Sequence, residues 1–213
     1  MSGLKIKELM KMVCGGIFMA KAQIFNISLN ILGISTPLEN PNSTDNRAIL
    51  LNNYYELARD YVLKDFDWNF ASAFKELSLC EKQIPFSKYK YSFNYPNDCI
   101  CARDIFQKGS YIPEKFAISS LDDGTVVILT DVENPILRYT RRVEKEIYFS
   151  CEFSMALAYY LASLTAGVLV GSIQKGEYAW EKYSKILSHA KVLNAYECGD
   201  NISKEESYLD SRG

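Results

Sequence analysis

From Phe153 to Ile173 the chain runs for twenty-one residues without a charged side chain, and no other feature limits its fold as much. About twenty apolar residues suffice for a helix to cross a bilayer. The segment is therefore either a membrane span or a helix enclosed on most sides by protein. Ser154, Tyr159, Tyr160, Ser163, Thr165 and Ser172 interrupt it with polar groups, and its Ala and Gly content suits close helix packing in protein as well as in lipid. A second apolar stretch, Met12 to Ala20, follows Lys5, Lys7 and Lys11 but imitates a signal peptide poorly. Gly15 and Gly16 break it, Glu8 sits in the would-be positive region, and helical spacing takes over after Ala20.

Periodicity places further helices on either side of a β-compatible middle. Ile24, Ile27, Leu29, Ile31 and Leu32 predict a first helix over about 19–33, stopped by Gly33. A loop with Ser35-Thr36-Pro37 and Asn40-Pro41-Asn42-Ser43 follows, and Asp45 stands where an N-cap belongs. The second helix, about 45–65, carries Ile49, Leu50, Tyr54, Leu57, Ala58, Tyr61 and Val62 three and four apart, which reads as one buried stripe. Phe66-Asp67-Trp68-Asn69-Phe70 reads as an aromatic plug beneath its end. Tyr89, Tyr91, Phe93 and Tyr95 then alternate, and residues 99–106, 125–129 and 138–142 suit strands, with a turn at Asp122-Asp123-Gly124. Helical spacing returns over 150–171 and 173–197, the latter with Trp180, Tyr183, Ile186, Leu187, Ala190, Leu193 and Ala195 near one face. The expected fold is mainly α: a bundle of about four helices with a small antiparallel β insertion at 84–148, an N-terminal extension over 1–18 and a flexible polar tail over 199–213.

Chemistry-bearing patterns are sparse. At 213 residues, 48% hydrophobic and 23% charged, the chain has the composition of one soluble globular domain, and 24 Lys plus Arg against 26 Asp plus Glu argue against tight nucleic-acid binding. Fifteen Tyr and eleven Phe lean towards assembly, because amphipathic aromatics are favoured in interfaces as well as cores. The cysteines Cys14, Cys80, Cys99, Cys101, Cys151 and Cys198 are spread along the chain and read as reduced thiols. In a strand Cys99 and Cys101 would share a face, yet no second pair or histidine follows at zinc-ligand spacing, so no metal or cofactor is expected. His189, the only histidine, lies within a helix without spacing that nominates a triad, and Asp122 and Asp123 are hairpin-turn residues. No glycine-rich phosphate loop occurs. The one basic concentration, Arg138, Arg141, Arg142 and Lys145, is either a solvated face beside Glu144 and Glu146 or a contact with an acidic partner or a DNA backbone.

A series of landmarks runs through the chain in order. Asn30-Ile31-Leu32-Gly33-Ile34 closes the first helix, and a loop at Pro37-Leu38-Glu39 follows. The long helix carries Tyr54-Tyr55-Glu56-Leu57-Ala58-Arg59-Asp60 and leads into Phe66-Asp67-Trp68-Asn69-Phe70-Ala71. Tyr91 to Ile100, Leu129-Thr130-Asp131 and Leu137-Arg138-Tyr139 mark the middle, and the Phe153 to Ala166 helix precedes a last helix with Tyr183 and Ala190. Together they resemble the tail tubular protein A family, the head-to-tail adaptors of short-tailed bacteriophages, over about residues 20–200. The chain departs from the family in residues 1–18 and in its Tyr95-Pro96-Asn97 stretch.

The resemblance implies a non-enzymatic virion subunit of the tail or neck, assembled in the host cytoplasm. It implies a dodecameric ring between the portal protein and the tail nozzle protein, with tail fibres nearby, through which DNA passes without sequence-specific binding. On this reading the apolar run is core and no membrane is involved. Expected interface residues are Arg138, Arg141, Arg142 and Lys145, with Asn201 and Tyr208 in a tail that orders only on contact with a partner. Two rivals stay in view, a membrane-anchored protein using 153–173 and a small cytosolic enzyme with an unrecognised site.

Overall fold

A computed structural model of the chain describes residues 19–82, 84 and 87–197, with the side chains beyond 191 excepted. The expected N-terminal extension and the polar tail, with Asn201 and Tyr208, lie outside the described residues. The described residues divide into two compact units, one made of those up to 62 with those from 145 onward and the other of those between 63 and 144.

The first unit is helical, with α1 (Lys21–Ile31), α2 (Asn46–Asp65, whose last residues enter the second unit), α3 (Cys151–Val170) and α4 (Ile173–Glu197). Each start and stop has a local chemical cause. α1 ends in a paired C-terminal bond pattern, with the Gly33 amide donating to the Asn30 carbonyl at 2.9 Å and the Ile34 amide to the Leu29 carbonyl at 2.9 Å. Gly33 takes φ 81°, and the Lys175 ammonium, which donates to the Leu32 carbonyl at 2.5 Å, would lie 2.9 Å from any Cβ there. Asp45 caps α2, its carboxylate accepting from the Arg47 amide at 2.8 Å. Ser150 caps α3 by accepting from the Phe153 amide at 3.2 Å, and Gly171 ends it with φ 60°.

The uncharged run forms α3, and much of it is enclosed within the helical unit. Phe153, Ala156, Leu157, Leu161, Ala162 and Ala166 are buried. Three of its polar interruptions need no outside partner, because their hydroxyls fold back on the helix. Ser154 donates to the Ser150 carbonyl at 2.9 Å, Ser163 to Tyr160 at 2.7 Å and Thr165 to Leu161 at 2.8 Å. At its C-terminal half Ala162 and Ala166 cluster with Leu32 and with Ala179 of α4, small side chains that let α3 and α4 approach closely.

The second unit overturns the expectation of a mainly α bundle with a small insertion. Its described residues form seven strands in two antiparallel sheets, so the described fold is mixed α+β. One sheet has the order β1 (Ser72–Glu76), β7 (Pro135–Arg141), β3 (Cys99–Gln107), β4 (Pro113–Glu114); the other has β2 (Tyr91–Asn94), β6 (Val126–Thr130), β5 (Phe116–Ser120). Phe93, Ile105, Ile128, Val132, Leu137 and Tyr139 form its core. β1 lies ahead of the expected insertion because its partner is far along the chain: Ser72 pairs with Thr140 and Glu76 with Ile136. Such pairing leaves no local period in a five-residue edge strand that ends in Lys75 and Glu76. The expected turn does join β5 to β6, with Gly124 at φ 81° and the Thr125 amide donating to the Asp123 carboxylate at 3.0 Å.

Two neighbouring residues of α3 give opposite expected outcomes. Ala166→Leu overfills the α3–α4 contact and lowers stability by about 1–3 kcal/mol. Gly167→Ala, where an added Cβ meets nothing within 4 Å, raises it by about 0.5–1 kcal/mol. Urea unfolding of both variants against the parent chain measures the two signs.

Candidate assembly surface

α2 carries more apolar residues than one helix face can bury, and the fold uses only part of them. Ala48, Leu51, Tyr55, Ala58 and Val62, spaced three and four apart, are buried. Ile49, Leu57 and Tyr61, expected from spacing on the buried stripe, are exposed instead, Leu57 at 65% and Tyr61 at 40%. Leu57 and Tyr61 stand one turn apart on the same face. The Tyr61 ring stacks on Tyr160 of α3 with centroids 4.6 Å apart and planes within 7°. Tyr160 in turn meets Trp180 and Tyr183 of α4 at 5.9 and 5.2 Å. Tyr183 is buried, whereas Trp180, also expected near the buried face of its helix, is 45% exposed.

Trp180 continues this aromatic strip into an open cleft of about 360 Å³ between α3 and α4, lined also by Ala166, Gly167, Gly176 and Glu177. Gly176 lets the helices meet here, since a Cβ on it would lie 3.3 Å from the Ala166 methyl and from the Ser163 carbonyl. Ile173, also in the cleft lining, and Val168 are exposed at the end of the α3–α4 hairpin. Isolated exposed apolar side chains are ordinary on a protein surface, but a strip linked by ring contacts and continued by a cleft has the makeup of an interface centre.

The β unit has its own exposed apolar feature. Between β3 and β4 the chain turns at Gly109, φ 86°, and presents Tyr111 and Ile112 at 97% and 71% exposure. The turn is held by its own bonds, the Ser110 amide donating to the Gln107 carbonyl at 2.9 Å and the Ile112 amide to the Ser110 hydroxyl at 3.2 Å. Sequence reading passed over this pair. The available signal was a Tyr-Ile pair set directly after the turn residues Gly109 and Ser110, where no strand period continues to bury it.

The basic concentration separates into different roles. Arg138 is committed inside the β unit, where its guanidinium reaches the Asp67 carboxylate at 2.6 Å and the Asp104 carboxylate at 2.6 Å. Beside it Arg103 donates to the Thr140 hydroxyl at 2.9 Å and to the Lys64 and Phe66 carbonyls at 3.0 Å. Arg141, Arg142 and Lys145 are exposed. The other residues screened for chemistry are placed as follows. His189 is exposed on α4, and Asp123 sits in its turn beside Lys82, whose ammonium holds the carboxyl below its ordinary range. A β-bulge falls between Cys99, which pairs with Arg141, and Cys101, which pairs with Thr140. Burial pushes the Cys99 thiol up to about 11. Among the described residues no three of His, Cys, Asp and Glu gather into a group that could hold a metal ion.

The class these observations define is a two-unit α+β protein with a partly exposed aromatic strip and an open cleft on its helical unit. No model of a known protein family matches the chain, and no curated protein matches it either.

Arg138→Ala leaves two carboxylates without their shared cation and is expected to destabilise the fold by about 2–3 kcal/mol, the cost of lost hydrogen bonds to charged groups. Arg141→Ala, at an exposed strand end, stays within about 0.5 kcal/mol. Chemical denaturation of the two variants separates the internal arginine from the solvated one.

Proposed function

We propose that this chain is a structural subunit that joins copies of itself in a ring, as a head-to-tail adaptor of a short-tailed bacteriophage set between a portal protein and a tail nozzle. The observation that carries assembly is the exposed strip from Leu57 and Tyr61 through Trp180 to the α3–α4 cleft, which nothing in the chain's described residues covers. The adaptor assignment is supported by the ordered landmarks of the sequence. A ring repeats one heterologous contact until it closes, so each subunit needs two different faces, and a chain of two separate units has room for both. DNA passes through such a ring without sequence-specific contact. Arg141 and Lys145 are the basic residues offered to a neighbouring subunit or partner, since Arg138 is already held by Asp67 and Asp104.

α3 is long and apolar enough to cross a membrane, and the proposal assigns it instead to the core of the helical unit, with half of it buried there. The separating measurement is the mass of the purified protein in detergent-free buffer by light scattering, alone and mixed with a candidate portal. A ring of many subunits in either condition supports the adaptor reading; a protein that stays in solution only with detergent overturns it. Leu57→Asp is expected to leave thermal stability within about 0.5 kcal/mol because the position is exposed. It weakens self-association at least about tenfold, or 1.4 kcal/mol, because a carboxylate would be desolvated in the contact. Sedimentation across a concentration series measures that shift.

A further inference from the structure

An edge strand turns the N–H and C=O of every second residue away from its sheet, and a bare edge is a template for another strand. The other edges of the β unit are closed to that use. β1 ends in Lys75 and Glu76. β2 is covered along its outer side by residues 78–80, with the Cys80 amide donating to the Ser92 carbonyl at 2.8 Å and the Asn94 amide to the Ser78 carbonyl at 2.9 Å. β4 is two residues long and starts with a proline. β5 has none of these devices. It reads Phe-Ala-Ile-Ser-Ser, without charge or proline, and among the described residues only β6 pairs with it.

The Leu121 amide donates to the Thr125 carbonyl at 2.8 Å, which fixes the phase of the ladder: Leu121, Ser119 and Ala117 turn their backbone groups to β6, and Ser120, Ile118 and Phe116 turn theirs outward. We propose that a second copy of this chain occupies that edge, β5 pairing antiparallel with its own counterpart about a two-fold axis at Ile118. In that register Ile118 faces its counterpart and Phe116 faces the second copy's Ser120, so outward groups meet outward groups in about six backbone hydrogen bonds. Ile118 is 50% exposed and Val126, diagonal to it on the same face, 40%, so pairing continues the apolar face of one β unit into the other. Charge selects the chain's own copy. The paired strands oppose no charges, and at each end exposed Lys115 comes beside exposed Asp122 of the second copy, neither being in an ion pair among the described residues. Asp123 is already held by Lys82, and Glu114 belongs to the other sheet, paired with Ile105. Two strands this short cover less than the roughly 800 Å² per partner of a stable interface, so the dimer depends on concentration. The contact is two-fold and uses the β unit alone; it goes beyond the ring proposed above, whose contact is heterologous, and does not rest on it.

Amide hydrogen exchange reads this edge directly. In the parent chain the Phe116, Ile118 and Ser120 amides are followed over a dilution series, with the Ala117 and Ser119 amides, bonded to β6, as the internal control for the fold. At high concentration the three outward amides are expected to exchange at least tenfold more slowly than at the lowest, while the two inward ones do not change. Ile118→Lys and Ile118→Glu each set like charges across the axis and are expected to lose that concentration-dependent protection; their equimolar mixture, which sets opposite charges there, is expected to regain it. Outward amides that exchange equally fast at every dilution overturn the contact. So does a chain that self-associates while they stay unprotected, or a mixture of the two folded variants that regains nothing. Protection that appears only when another protein is added gives the edge to a foreign strand and overturns the second copy as its occupant. A variant that loses the Ala117 and Ser119 protection has lost β5 itself, and the parent's dilution series then decides alone.

Discussion

A helix that carries no charge from Phe153 to its end has to be enclosed on much of its surface, and the helical unit is organised around that requirement. α3 meets it with α1 and α4, and its small residues are as important as its large ones. Ala162 and Ala166 sit against Leu32 and Ala179 where the helices run close, whereas Phe149 and Phe153 fill a wider space at the other end with rings 4.6 Å apart. The buried Ser154 and Thr165 hydroxyls, which would be costly in such a core, are satisfied within the helix itself.

The β unit follows a different logic. Its sheets are short and their edges exposed, and beside an apolar core it uses a charged hub. Arg138 joins Asp67, ahead of β1, to Asp104 on β3, while Arg103 ties β3 to the carbonyls of Lys64 and Phe66. The hub clamps the segment entering the unit to the strands at its centre. A bidentate, planar guanidinium suits this because it binds two carboxylates in fixed directions, which a lysine cannot do.

Surface and core compete for the same residue types in this chain. A helical unit of this size has limited interior, and once α2 has buried Ala48, Leu51, Tyr55, Ala58 and Val62, its Ile49, Leu57 and Tyr61 face outward. The aromatic contacts from Tyr61 to Trp180 keep that outward face ordered, and an ordered aromatic face loses little entropy when a partner covers it. Thus the excess that looks like core in one dimension becomes a surface in three.

The extents of the four helices were legible from local chemistry, to within a residue or two at most ends, because caps and stops act over a few neighbouring residues: Asp45 and Ser150 at N-termini, Gly33 and Gly171 at C-termini. The β hairpin at Asp122-Asp123-Gly124 was legible for the same reason. The pairing of β1 with β7, the bulge between Cys99 and Cys101 and the internal role of Arg138 depend on partners distant in sequence, and no local period records them. The same holds for the assembly surface. By itself the sequence determined that α2 and α4 carry apolar residues at helical spacing, but spacing does not say which of two apolar stripes turns inward. Only the packing of α3 against its neighbours decided that Leu57, Tyr61 and Trp180 remain outside, because burial is a property of where helices meet and not of the order of residues along any one of them.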